Sequence, residues 1–216
     1  MKKKIAVVLA GCGVYDGAEI HEATLTLLAI HQQGAEYQCF APDMEQAHVI
    51  NHLTGEEMAE SRNVLVESAR IARGNIRSLS TFKAAEFDAI LFPGGFGAAK
   101  NLCDFAFRGA ACTVNPDVEK AVRAMSKANK PIGALCISPV VITRILGDVA
   151  VTIGDDRETA HAIEAMGGTH QVKSHGEITV DSRHKVVTTP CYMLDATISQ
   201  IYDGASKVVQ AILSLA

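Results

Sequence analysis

The stretch Lys130-Pro131-Ile132-Gly133-Ala134-Leu135-Cys136-Ile137-Ser138-Pro139 leaves a chain few ways to fold. Five small or apolar residues follow Pro131, which suits a central strand covered on both faces. Pro139 cannot extend a sheet ladder, but it fits the first turn of a helix, where its missing N–H has no partner to lose. The backbone must therefore pass from buried strand to helix within a few residues, and Cys136 stands at that turn. A side chain placed there projects from the carboxyl edge of a sheet, the geometry of a nucleophile elbow with a thiol in place of the hydroxyl. Without that geometry, Cys136 reads as a buried small hydrophobe, the commonest fate of an unpaired cysteine.

Comparable apolar runs of strand length occupy residues 5–10, 36–41, 88–92 and 149–153. Between them lie stretches of helical spacing. Residues 18–33 place Ile20, Ala23, Leu27, Leu28 and Ile30 roughly on one side, and Gly34 ends the segment. Residues 60–73 repeat the pattern through Val64, Leu65, Ala69 and Ile71, and residues 115–130 form a helix capped by Asn115. Further helices are predicted over 158–166 and 195–215, with a hairpin of 177–180 and 185–189 between them. Residues 42–54 are polar and loop-like. Strands alternating with helices imply a mostly parallel sheet with helices on both faces. There is no internal repeat or low-complexity linker, so residues 1–216 read as a single domain. In such α/β folds ligands bind outside the carboxyl ends of the strands. Three loops leave from those ends: residues 11–17, residues 93–97 and the turn at Cys136.

Composition narrows the functions open to such a fold. A net charge of −4, with no basic run beyond Lys2-Lys3-Lys4, gives nucleic acid no electrostatic footprint. The longest apolar run stops at Arg144, too short to span a bilayer, which argues against a membrane protein. The amino terminus moves from lysines straight into a strand-like run rather than a secretory leader, so a cytoplasmic location is expected. None of the six cysteines has Cys-x-x-Cys spacing, against a zinc ribbon or a redox dithiol of that type. His48 and His52 would share a helix face, but no glutamate stands between them and Gly55 follows closely, so no metal site is expected.

The loops carry chemistry of their own. Gly94-Gly95 after a buried strand turns the backbone tightly and points N–H groups into a crevice. The N–H groups of Gly95 and Ile137 are placed to form an oxyanion hole, although Pro93-Gly94-Gly95 also reads as a plain turn. The helix head after Cys136 is expected to lower its thiol pKa and make it the most reactive of the six. Glu19 and Glu22 stand at the start of the first helix, where a carboxyl near the thiol would act as acid and base. Acidic residues also favour helix starts for dipole reasons alone. A rival reading takes Gly11-x-Gly13-x-x-x-Gly17, after a strand and before a helix, as a dinucleotide fingerprint, with its third glycine one place late. Another makes Cys136 a redox sensor or scaffold thiol that turns nothing over.

Four blocks carry a resemblance through nearly the whole length. They are Gly11-Cys-Gly-Val-Tyr-Asp-Gly-Ala-Glu-Ile-His-Glu22, Pro93-Gly-Gly-Phe-Gly-Ala-Ala-Lys-Asn-Leu102, Lys130-Pro-Ile-Gly with Cys136-Ile-x-Pro139, and Val186-Val-Thr-Thr-Pro190 with Tyr192-Met193. The sequence resembles the class I amidotransferase-like superfamily of the PfpI proteases and DJ-1, and within it the ElbB-like isoprenoid-biosynthesis-associated glyoxalases. This resemblance implies a flavodoxin-like fold, Cys136 as nucleophile and Glu22, rather than Glu19, as its acidic partner. It also implies cofactor-free conversion of glyoxal and related 2-oxoaldehydes to hydroxy acids, in a homodimer. Two departures bear on that reading: Ile137 stands where PfpI-type proteases have histidine, and no His-x-Glu pair occurs downstream. Amide and peptide hydrolysis are therefore not expected, whereas a more electrophilic aldehyde needs only the Cys/Glu pair.

Overall fold

In the computed structural model, which describes residues 2–216, strand and helix alternate from Lys4 onward. The first half comprises β1 (Lys4–Val8), α1 (Ile20–Gln32), β2 (Glu36–Ala41), α2 (Val64–Ile71), β3 (Ile76–Ser78) and β4 (Ala89–Phe92). The second begins with the one-turn α3 (Phe105–Arg108), α4 (Pro116–Lys127), β5 (Ile132–Leu135), α5 (Pro139–Leu146) and β6 (Ala150–Val151). It ends with α6 (Arg157–Ala165), β7 (Thr169–His170), β8 (Thr179–Asp181), β9 (Val186–Thr189) and α7 (Ile198–Leu215). Seven strands form one sheet in the order β3-β2-β1-β4-β5-β9-β8, parallel except for the β8–β9 hairpin at its edge. This is a flavodoxin-like α/β fold.

Alternation along the strands divides the core in two. Ile5, Val7 and Leu9 point toward α1 and α7, where they meet Ala23, Leu27, Ile30, Ile201, Val208 and Ile212. Ala6, Val8 and Ala10 point to the other face and pack with Val118, Val122 and Met125 of α4 and Val140 and Val141 of α5. Strands β1, β4 and β5 are thereby buried on both sides, as parallel central strands must be. No helix among the described residues is long and apolar enough to cross a membrane.

The structure departs from the sequence expectations in three places. The helix expected from residue 60 starts at Val64, because the Asn63 side chain accepts the Val66 N–H and caps it there. Residues 76–78, with no apolar run to signal them, add edge strand β3. The run 149–153 leaves the main sheet: β6 pairs only with β7. Its backbone is intercepted by side chains, with Ala150 N–H bonded to Asp181 Oδ2 at 2.8 Å and Thr152 N–H to Thr188 Oγ1 at 2.8 Å. The sheet position beside β9 goes instead to β8.

Candidate active site

Four neighbouring strands, β1, β4, β5 and β9, send their carboxyl ends to one edge of the sheet. The loops that follow them meet there. The first loop is tied to the loop after β4 by backbone bonds from Phe96 N–H to Val14 O (2.8 Å), Gly97 N–H to Gly17 O (2.9 Å) and Glu19 N–H to Gly94 O (2.9 Å). The three expected loops are thus brought together. A fourth contributor, the turn Cys191–Met193 after β9, appears in the sequence only as part of a matching block.

Cys136 follows β5 directly and has φ 59°, a left-handed conformation that a non-glycine residue adopts at a cost on the order of 1–3 kcal/mol. Surrounding bonds hold it in place. Its N–H reaches Thr189 O at 3.0 Å, Ser138 N–H reaches Leu135 O at 2.9 Å, and the Ser138 hydroxyl donates to Pro93 O at 2.7 Å. Pro139 then starts α5. The elbow read from the sequence is present, and the N–H groups of Gly95 and Ile137 both point at the Cys136 sulfur.

Glu22 lies in the first turn of α1 and has no exposed surface. Its Oε2 accepts the Gly94 N–H at 2.8 Å and its Oε1 accepts the Tyr192 N–H at 3.2 Å, and Oε2 and the Cys136 sulfur both lie within 2.9 Å of the point where a Gly94 Cβ would stand. Gly94 has to be glycine: a Cβ there would lie 2.6 Å from Glu22 Oε2 and overlap Cys136 Cβ. Glu19 has a different task. It is the cap residue of α1, and its Oε2 accepts the Glu22 N–H at 2.7 Å. Of the two carboxyls, only Glu22 faces the thiol.

The electrostatics of the pair reverse the sequence expectation for the thiol. Burial raises the Cys136 thiol well above its ordinary value, and the Glu22 charge adds to the rise. The Gly95 and Ile137 amides pull it down but are outweighed. Burial, reinforced by the negative Glu19, likewise lifts Glu22 to about 8 against the pull of the Tyr192 and Gly94 amides. At neutral pH the pair therefore holds both of its protons. Cys136 is a protonated thiol beside a protonated carboxyl, not a standing thiolate. The sequence argument weighed the helix head and omitted the desolvation.

A cleft of about 410 Å³ opens over the pair, lined by Phe96, Phe105, Ile137 and Met193 and, on its polar side, by Asp156, Thr159 and Tyr192. Among the described residues, no histidine lines it. The nearest link to one runs through Tyr192, whose hydroxyl lies 2.8 Å from His21 Nδ1. His52 is engaged elsewhere, with Nδ1 at 3.0 Å from Ile50 O and Nε2 accepting the Tyr15 N–H at 3.2 Å, and its segment is not helical. Among the described residues no cluster of three His, Cys, Asp or Glu is placed to hold a metal. The glycine spacing that suggested a dinucleotide serves packing: a Cβ on Gly17 would collide with the backbone of Gly11 and Cys12. The head of α1 is filled by the Glu19 carboxylate, where a pyrophosphate would need free N–H groups.

No family model matches the sequence. Individual proteins do. The human glutamine amidotransferase-like class 1 domain-containing protein 3, mitochondrial, is 49% identical over 98% of this chain and 83% of its own length. The crystal structure of an isoprenoid biosynthesis protein with an amidotransferase-like domain from Ehrlichia chaffeensis superposes with a TM-score of 0.91 at 36% identity, covering 98% of this chain and 99% of that one. The fold is shared more distantly with glyoxalase III from Candida albicans, with a TM-score of 0.65 at 13% identity over 99% and 97% of the two chains. These findings correct the expected cytoplasmic location. The human relative is named mitochondrial, as are the similar rat and zebrafish proteins. The amino-terminal argument tested only for a secretory leader, whereas organelle addresses are segments of another kind. Nearly half of all positions agree with the human protein along almost the entire sequence, and this chain belongs to the glutamine amidotransferase-like class 1 family.

Proposed function

We propose that this protein is a cofactor-free glyoxalase that converts glyoxal and related small 2-oxoaldehydes to hydroxy acids, with Cys136 as nucleophile and Glu22 as the acid and base. The observation that carries the reading is the buried juxtaposition of Cys136 and Glu22 beneath a cleft lined, among the described residues, by no histidine. Acyl transfer from an amide needs a group to protonate the leaving amine, and a carboxyl already committed to the thiol is poorly suited to both tasks. Isomerising an aldehyde involves no leaving amine.

The reactive form has lost one of the pair's two protons, leaving a thiolate beside neutral Glu22. Sulfur adds to the aldehyde carbon, and the resulting oxyanion takes the Glu22 proton while the Gly95 and Ile137 amides steady it. Glu22, now a carboxylate, removes the C1 hydrogen to give an enediolate. It returns that proton to C2, and the product is a hydroxyacyl thioester on Cys136. Water hydrolyses the thioester, restoring the thiol and releasing glycolate when glyoxal is the substrate. Glu22 is assigned both proton transfers because its carboxyl lies beside the sulfur from which the adduct is built. As the resemblance implies, the active species in this reading is a homodimer.

Purified protein should consume glyoxal and release glycolate without glutathione, and Cys136→Ala should abolish it. Glutaminase and peptidase activity should be absent, and each of the eight histidines should be individually replaceable without loss of turnover. Wild-type protein that leaves glyoxal untouched, or a thousand-fold loss from one histidine in a folded variant, would overturn the assignment.

A further inference from the structure

A second cleft, of about 510 Å³, is lined by Cys112, Thr113, Glu119, Arg123 and Arg144 and shares no lining residue with the first. Arg144, in the last turn of α5, donates its Nε–H to Cys112 O at 2.6 Å, and Arg123 of α4 pairs with Glu119 at 2.8 Å. Cys112 is fully buried, between the exposed Ala111 and Thr113. Behind it lies Cys103, also buried, whose thiol donates to Ala98 O at 3.4 Å. The backbone brings the two segments together. Cys103 pairs with Val114 in an antiparallel bridge, flanked by Asp104 N–H to Thr113 O (3.1 Å) and Asn115 N–H to Leu102 O (2.9 Å). Cys112 lies two residues before Val114, on the same side of this bridge as Cys103.

We propose that Cys103 and Cys112 form a dithiol site that reacts with hydroperoxides entering the second cleft and closes to an intrachain disulfide. Cys112 is the attacking sulfur. The neighbouring Cys103, helped by the Arg144 guanidinium, draws its thiol down to about 7, whereas Cys103 is pushed up, with burial adding to the rise. The Cys112 thiolate displaces alcohol or water from the peroxide by attacking one oxygen, and the departing oxygen takes a proton from solvent. Cys112 becomes a sulfenic acid. Cys103 then attacks that sulfur, and its proton leaves with the hydroxyl as water. Two thiols are oxidised by two electrons, one peroxide is reduced, and two molecules of water or of water and alcohol are released. Small disulfides would enter the same exchange with thiol as the leaving group.

The site reaches into the first cleft. Residues 104–111, which the disulfide would close into a loop, carry Phe105 and Ala106, and both line the Cys136 cleft. Oxidation at the second cleft would thus tether a wall of the first.

The sequence supplies a direct assay. Arg108 lies between the two cysteines, so trypsin separates residues 101–108 from 109–120 unless a disulfide joins them. Full-length protein treated with one equivalent of hydrogen peroxide should yield the two peptides as a linked species lighter by two hydrogens, reversed by a dithiol reductant. Cys103→Ser should instead accumulate a Cys112 sulfenic acid that a 1,3-dione probe captures. Arg144→Gln should slow linkage roughly tenfold at pH 7 and move the pH midpoint of the rate upward. Should a serine variant fail to fold, the wild-type linkage and the Arg144→Gln profile carry the test. Separate tryptic peptides after peroxide, whether untouched or over-oxidised at Cys112, would overturn the proposal. So would linkage of either cysteine to a residue outside this pair.

Discussion

Cys136 and Cys112 are both buried thiols at the floors of clefts, and their neighbours push them in opposite directions. Cys136 has a helix head ahead of it and two amides aimed at its sulfur, the arrangement expected to make a thiolate. Yet it is held protonated, because it shares a dry pocket with a carboxyl. Cys112 has no helix head of its own, but a second thiol and a guanidinium beside it move it the other way. Desolvation and the nearest full charge outweigh the partial charges of a helix terminus, worth typically ~0.3–1 kcal/mol each. The contrast assigns different chemistry to each. A protonated thiol beside a proton shuttle suits an aldehyde, which needs protons moved in step. A thiolate beside a cation suits a peroxide, which needs a ready nucleophile.

The largest effect that tests this contrast is at Glu22. Glu22→Gln should lower glyoxal turnover about 10²- to 10⁴-fold, the usual cost of a lost general base, while leaving peroxide linkage of Cys103 and Cys112 unchanged. Glu19→Gln should cost far less. Because the reactive pair has lost one proton, kcat/KM should rise with pH and level off above about 8. Solvent deuterium should enter the glycolate methylene, since a proton held on Glu22 can exchange before delivery. Product free of label, together with a nearly active Glu22→Gln, would point to a direct hydride shift.

A smaller effect compares the two thiols through the charge of the alkylating reagent. At pH 7 iodoacetamide should modify Cys112 before Cys136, because only Cys112 is drawn toward the thiolate. Iodoacetate should widen the gap, because Arg144 and Arg123 attract the anion at the cleft over Cys112. Equal labelling with both reagents would mean that the two environments do not differ as described.

The smallest effect is on stability. Glu22 binds its proton more tightly folded than unfolded, so folding stability should fall as pH rises from about 4.5 through about 8. Glu22→Gln, neutral throughout, should lose that dependence and gain on the order of 2 kcal/mol at pH 8, a rise in Tm of about 4–8 °C. An unchanged Tm across that range would place Glu22 in a wetter site than the structure shows.

Much of this was legible in the sequence, for identifiable reasons. The strand-turn-helix at Cys136 could be read because Pro139 forbids a longer strand and the five preceding residues forbid a solvent-facing one. The loops converge as expected, because parallel strands deliver their carboxyl ends to one edge. Asn115 caps α4, accepting the Asp117 and Val118 N–H groups, as its residue type implied. What stayed hidden depended on partners distant in sequence. Tyr192 reaches Glu22 across 170 positions by a backbone N–H, a group every residue but proline possesses. The protonation of Cys136 depends on how dry the packed site is, which spacing does not encode. The second cleft escaped because Cys103 and Cys112 are nine apart, a separation with no motif attached, and only the local ladder brings them together.

The bonds that lace the first loop to the loop after β4 divide the first cleft into parts with different freedom to change. On one side Val14, Gly17, Gly94 and Phe96 are joined through main-chain groups, and Asn101 adds bonds to Ala10 O and Asp16 O at 2.9 Å each. A mutation there disturbs the floor that holds Cys136 and Glu22. On the other side Phe105, Thr159 and Met193 approach the cleft through side chains borne on separate short elements. Those positions can exchange bulk and polarity without moving the reacting pair. A protein divided this way can acquire a new substrate by altering one wall, with its chemistry inherited intact.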